Sequence, residues 1–124
     1  MQILKFGGAS IKDAVNIKKV ATIINGIDYK DTIIIVSAIG KTTNALEAIV
    51  DHYLKKSNNL LNCINELHEL HIKIIDDLFI ENHEIYKIVS SDFQKIHDFL
   101  KNNKSPNYNF IYDQIIPFGE LLAS

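Results

Sequence analysis

Cysteine, proline and basic excess are all scarce in this 124-residue chain, and each shortage excludes something. A single cysteine, Cys63, rules out an internal disulfide and fits a reducing, cytoplasmic setting. A formal net charge of −2 leaves no basic footprint for nucleic acid or for an anionic membrane surface. No apolar run approaches the roughly 20 residues that cross a bilayer. Lys5 and the Gly7–Gly8 pair interrupt any secretory leader near the N-terminus. Internal repeats and low-complexity segments are missing as well. Only two prolines punctuate the chain, Pro106 in a polar stretch and Pro117 inside a helical pattern. What is left is the composition of an ordinary globular domain, or of part of one.

The residues present give a clear order of elements. Gln2–Phe6 (QILKF) is a short apolar run stopped by two glycines, the pattern of a strand and a tight turn. Asp13 is placed to cap a helix that carries Val15, Ile17, Val20, Ile23 and Ile24, and Gly26 to end it. Thr32–Val36 is rich in β-branched residues and predicts a second strand. Strand, helix and strand in this order make a βαβ unit with parallel pairing. Helices are predicted from Thr42 or Thr43, over Leu60–Phe79, over Glu84–Lys101, and from Phe110 with a break at Pro117. In the long helix the apolar spacing runs Leu60, Ile64, Leu67, then Leu70 or His71, then Ile74 and Leu78. Two strands are too few for a sheet, and parallel strands are normally covered on both faces. The chain therefore reads as a piece of a longer protein, expected to self-associate as a homo-oligomer or to be only partly ordered.

The stretch Ile33–Leu46 (IIIVSAIGKTTNAL) ends in Gly-Lys-Thr, like a phosphate-binding P-loop. The first glycine of that motif would fall at position 35, which holds Ile35 within the strand, so the P-loop reading fails. Both polar loops, Lys5–Ser10 and Ser37–Lys41, instead follow the carboxyl ends of strands. Small anionic ligands of open α/β sheets bind there.

Three segments carry a family resemblance. KFGGAS at Lys5–Ser10 resembles the K-F-G-G-[TS]-S opening of aspartate kinases. VSAIGKTTN at Val36–Asn44 resembles their V-S-A-x-x-x-x-T-N. FGELLAS at Phe118–Ser124 resembles their G-E-x-x-[SA]-[SA]. The resemblance covers the whole chain and implies an α/β protein of the amino acid kinase fold, a three-layer αβα sandwich. Residues 1–124 would be the N-terminal, amino-acid-binding part of that domain. The implied reaction is ATP-dependent phosphorylation of the β-carboxylate of L-aspartate, with Mg²⁺ arriving on the nucleotide and no protein metal ligand in this chain. By the same resemblance Lys5 would contact the transferring phosphate, and Gly7, Gly8 and Ser10 would lie against the phosphates. Ser37, Ala38 and Thr43 would line the aspartate pocket, and Glu120 would pair with the α-ammonium group. Ala9 stands where the motif more often has threonine, so any role of that hydroxyl is lost. Lacking the remainder of the domain, the chain alone is expected to be inactive. Rival readings are a glutamate or acetylglutamate kinase, and a non-catalytic amino-acid-binding module.

Other features read as structural. His68 and His71 sit three apart on the long helix with no further ligand at matching spacing, so they read as a helix face. Tyr108 and Tyr112 read as packing residues.

Overall fold

The computed structural model describes residues 1–124. Strands β1 (Gln2–Phe6) and β2 (Thr32–Val36) pair in parallel, with Gln2 opposite Thr32 and Phe6 opposite Val36. Between them runs α1 (Ala14–Asn25). The Asp13 carboxylate caps it by accepting the Asn16 backbone N–H at 2.9 Å, and also accepts from the Asn16 side chain. These two hydrogen bonds hold the Asp13 carboxyl below its ordinary range. The Gly26 N–H closes the other end on the carbonyls of Thr22 and Ile23. Single 3-10 turns at Gly8–Ile11 and Tyr29–Asp31 complete the unit, and neither is visible as a periodicity in the sequence.

Five helices follow: α2 (Thr42–Leu54), α3 (Leu60–Leu78), α4 (Ile85–Asn102), α5 (Tyr108–Ile115) and α6 (Phe118–Ala123). The last stretch departs from expectation at its start and meets it at Pro117. Asn107 accepts the Phe110 N–H at 3.0 Å, so α5 opens at Tyr108 instead of Phe110. Pro117 has no N–H to give the preceding turn, and the helix divides there into α5 and α6.

The main core lies among the helices. Leu46, Ile49 and Val50 of α2 pack with Ile64 and Leu67 of α3, Phe93 and Ile96 of α4, and Ile111 and Ile115 of α5. Burying an aliphatic or aromatic side chain of this kind contributes about 1.5–3 kcal/mol. Polar ties run between the same helices: the Tyr112 hydroxyl donates to Glu47, and the Asn103 amide donates to the Tyr53 hydroxyl at 3.1 Å. A smaller cluster of Ile11, Val20, Ile39 and Ile74 lies beside the βαβ unit.

The open choice on α3 resolves in favour of the polar residue. His71 is 2% exposed, whereas Leu70 is 44% exposed. The phase of α3 turns Ile64, Leu67, His71, Ile74 and Ile75 inward. His71 and His68 both meet the Phe93 ring, His71 edge-on and His68 stacked at 4.4 Å. The His71 Nδ1 lies 2.9 Å from the Leu67 carbonyl oxygen, which can only accept, so Nδ1 carries the proton and Nε2 is a bare, buried acceptor without a partner.

The sheet is the opposite case. Ile3, Ile33 and Ile35 are 59%, 46% and 45% exposed, so this chain leaves its two strands uncovered. No helix is long and apolar enough to cross a membrane.

Candidate functional site

The carboxyl ends of β1 and β2 release their chains side by side. The parallel ladder runs one step past the strands, with the Ser37 N–H donating to the Phe6 carbonyl at 3.0 Å. The loops then bond directly, the Gly40 N–H donating to the Gly8 carbonyl at 3.0 Å. Gly40 sits in the left-handed region at φ 51°, which explains a glycine there.

The two glycines of the first loop differ. A Cβ on Gly8 would lie 2.7 Å from the Ala38 carbonyl oxygen and 2.9 Å from that of Gly40, so only glycine lets the loops close on each other. A Cβ on Gly7 would meet nothing within 4 Å, and the Gly7 backbone at φ −75°, ψ 168° suits any residue. The fold itself therefore does not require glycine at position 7.

Lys5 is exposed on β1, in register with Ile35. The ion pairs of the chain join the Met1 amino group to Asp31 and Lys95 to Asp92, so the Lys5 ammonium is uncommitted. Ser10 is exposed in the 3-10 turn, which its N–H helps close by donating to the Gly7 carbonyl. Ser37 and Thr43 are half-buried. Ala38 is buried with its methyl turned to α6.

The third segment reaches the same place from the far end of the chain. Gly119 is buried against Ala38, Leu46 and Thr42. Glu120, the next residue, is exposed in the first turn of α6. It lines an open groove of about 750 Å³ with Ile34, Ile35, Val36, Phe118 and Leu121. Ile35 is the register partner of Lys5, so the groove beside Glu120 runs along the strand next to the one that carries the lysine. The eight residues singled out in the sequence thus fall on three segments that meet at Ala38.

Two features of this junction escaped the sequence. Gly119 was only a letter of a motif until its contact with Ala38 was seen. Thr42 is fully buried with its Oγ1 unpartnered, one place before the threonine that the motif selects. The chain also has no arginine, all 13 of its Lys and Arg side chains being lysine. What these 124 residues can themselves offer an anion is therefore lysine, backbone N–H groups and hydroxyls.

Comparison with known proteins follows the same outline. The model of the Amino acid kinase family matches residues 1–109. Aspartokinase 2, chloroplastic, of Arabidopsis thaliana is 27% identical over 98% of this chain and 23% of its own length. The bifunctional aspartokinase/homoserine dehydrogenase of Buchnera aphidicola is 27% identical over 82% of this chain and 13% of its own. Among solved structures, E. coli aspartokinase III in complex with aspartate and ADP superposes with a TM-score of 0.79 at 19% identity, over 99% of this chain and 27% of that one. Clostridium acetobutylicum aspartate kinase gives 0.75 at 23% identity, again over 99% and 27%. The chain spans less than a quarter of the length of the curated relatives it matches.

Proposed function

The chain belongs to the amino acid kinase family, and we propose that it is the amino-acid-binding part of an aspartate kinase domain. The reaction proposed is transfer of the γ-phosphoryl group of ATP to the β-carboxylate of L-aspartate. A carboxylate oxygen forms the new P–O bond while the bond to ADP breaks. The nucleophile is already ionised at neutral pH, so no general base is needed. Catalysis then rests on positioning and on compensation of negative charge. Mg²⁺ carried by the nucleotide would neutralise part of that charge.

The roles are those the family resemblance implies, and the placement of the residues is compatible with them. Lys5, exposed and free of any ion pair, is the cation offered to the transferring phosphate. Gly7 leaves its backbone open to approach by a phosphate, and Gly8 with Ser10 holds the loop in that shape. Ser37 and Thr43 contribute hydroxyls on the aspartate side, where Ala38 sets the spacing. Glu120 supplies the counter-charge for the α-ammonium group.

One observation carries the reading: three segments remote in sequence meet around Ala38 at the carboxyl ends of two parallel strands, where ligands of such sheets bind. Its test is kinetic, in the complete protein that carries this chain. Lys5→Ala should lower kcat by about a hundredfold or more, as expected for loss of a charge contact made in the transition state. Glu120→Gln should raise KM for aspartate and leave KM for ATP unchanged. A Lys5→Ala protein with normal kcat would end the assignment. So would a Glu120→Gln protein altered only toward ATP. On this reading the 124-residue chain by itself lacks turnover, because it makes up a small share of such enzymes.

A further inference from the structure

Ala38 is held from two sides by glycines of the flanking segments. On one side its carbonyl oxygen lies where a Gly8 side chain would begin, 2.7 Å from that Cβ position. On the other, its methyl lies 2.9 Å from the Cβ position of Gly119. The same position on Gly119 is 3.2 Å from Leu46 Cδ1 and 3.5 Å from Thr42 Cγ2. Contacts below 3.0 Å are ones that real Cβ atoms essentially never make. The Leu46 side chain can rotate away, but the Ala38 methyl is fixed to a backbone that hydrogen bonds tie to β1. The Ser37 N–H is held by the Phe6 carbonyl and the Gly40 N–H by the Gly8 carbonyl. An added methyl at position 119 must therefore push α6 outward, and Glu120 is the next residue of α6.

We infer that Gly119 is a positioning residue: its close approach to Ala38 sets the distance between Glu120 and the Lys5–Ser10 and Ser37–Gly40 loops, and so sets the fit of the amino acid substrate. This rests on the reading of Glu120 as the ammonium partner. The contact is of one methyl, which makes it testable by moving that methyl across the interface. Gly119→Ala adds it to α6, and Ala38→Gly removes it from the loop. In the complete protein Gly119→Ala should raise KM for aspartate by about tenfold or more with KM for ATP unchanged, since a misplacement of about 1 Å can cost about a hundredfold.

A merely structural glycine would not give this split between the two substrates. An unchanged KM for aspartate in Gly119→Ala overturns the inference. Urea unfolding of the chain runs beside the kinetics. There Gly119→Ala should lower the midpoint, and the paired variant should recover more than the sum of the single effects predicts. If Gly119→Ala alone does not fold, the paired variant decides: a folded chain supports the junction and an unfolded one ends it. A wild-type protein without aspartate turnover would remove the kinase reading instead. The unfolding cycle then judges the junction alone, non-additivity keeping it and additivity ending it.

Discussion

Replacing Gly7 and Gly8 in turn by alanine separates a glycine that the fold needs from one that it does not. Ordinary van der Waals contact begins at 3.4 Å, and the Gly8 Cβ position is 2.7 Å and 2.9 Å from two carbonyl oxygens. Both oxygens belong to backbone, so no side chain can swing aside. Relief requires the loops to part by several tenths of an ångström, and the Gly40 N–H to Gly8 carbonyl bond of 3.0 Å spans that gap. Overpacking costs about 1–3 kcal/mol and the weakened hydrogen bond about 1 kcal/mol more. With a urea slope of about 1–3 kcal/mol per molar, Gly8→Ala should lower the unfolding midpoint by about 1–2 M. Gly7→Ala meets no atom, has a compatible backbone, and restricts the unfolded chain, so it should be neutral or stabilise by up to about 1 kcal/mol. The assay is urea unfolding followed by far-UV circular dichroism. In the complete protein Gly7→Ala should nonetheless lose phosphoryl transfer, because the added methyl stands where a phosphate is proposed to approach. Equal destabilisation by both substitutions, or none by Gly8→Ala, would refute the reasoning.

Three further outcomes are expected. Burial holds the His71 imidazole below its ordinary pKa, and burial with the nearby His97 does the same for His68. The unfolded chain then binds more protons near pH 6.5, so stability falls as pH drops below about 7; a flat urea midpoint from pH 7.5 to 5.5, or an unchanged slope in His71→Leu, would contradict this. Thr42→Val keeps the shape of a buried side chain and removes a hydroxyl without a partner, so it should stabilise by about 1 kcal/mol; a loss of stability would mean that the hydroxyl is bonded. The exposed Ile3, Ile33 and Ile35 should make the chain self-associate in size-exclusion chromatography with light scattering, and Ile33→Lys should reduce it; a monodisperse monomer with strongly protected strand amides would show that the strands need no cover.

Much of the architecture was legible because its causes are local. β-branched runs, a capping aspartate and glycine stops mark β1, α1 and β2 at the positions where the structure has them, since each signal acts within a few residues. The three motifs were legible as strings for the same reason, and so was the failure of the P-loop pattern at Ile35. Tertiary packing decided the rest. The choice of His71 over Leu70 depends on which face of α3 meets Phe93 of α4, a contact between residues 22 positions apart in sequence. The opposite natures of Gly7 and Gly8 depend on where the Ala38–Gly40 backbone passes, and a sequence writes both glycines alike. That Gly119 closes on Ala38, and so brings Glu120 beside the carboxyl-terminal part of β2, follows from the placement of α6 after the break at Pro117. Steric fit between segments about 80 residues apart leaves no periodicity in either of them, so only the folded chain could reveal it.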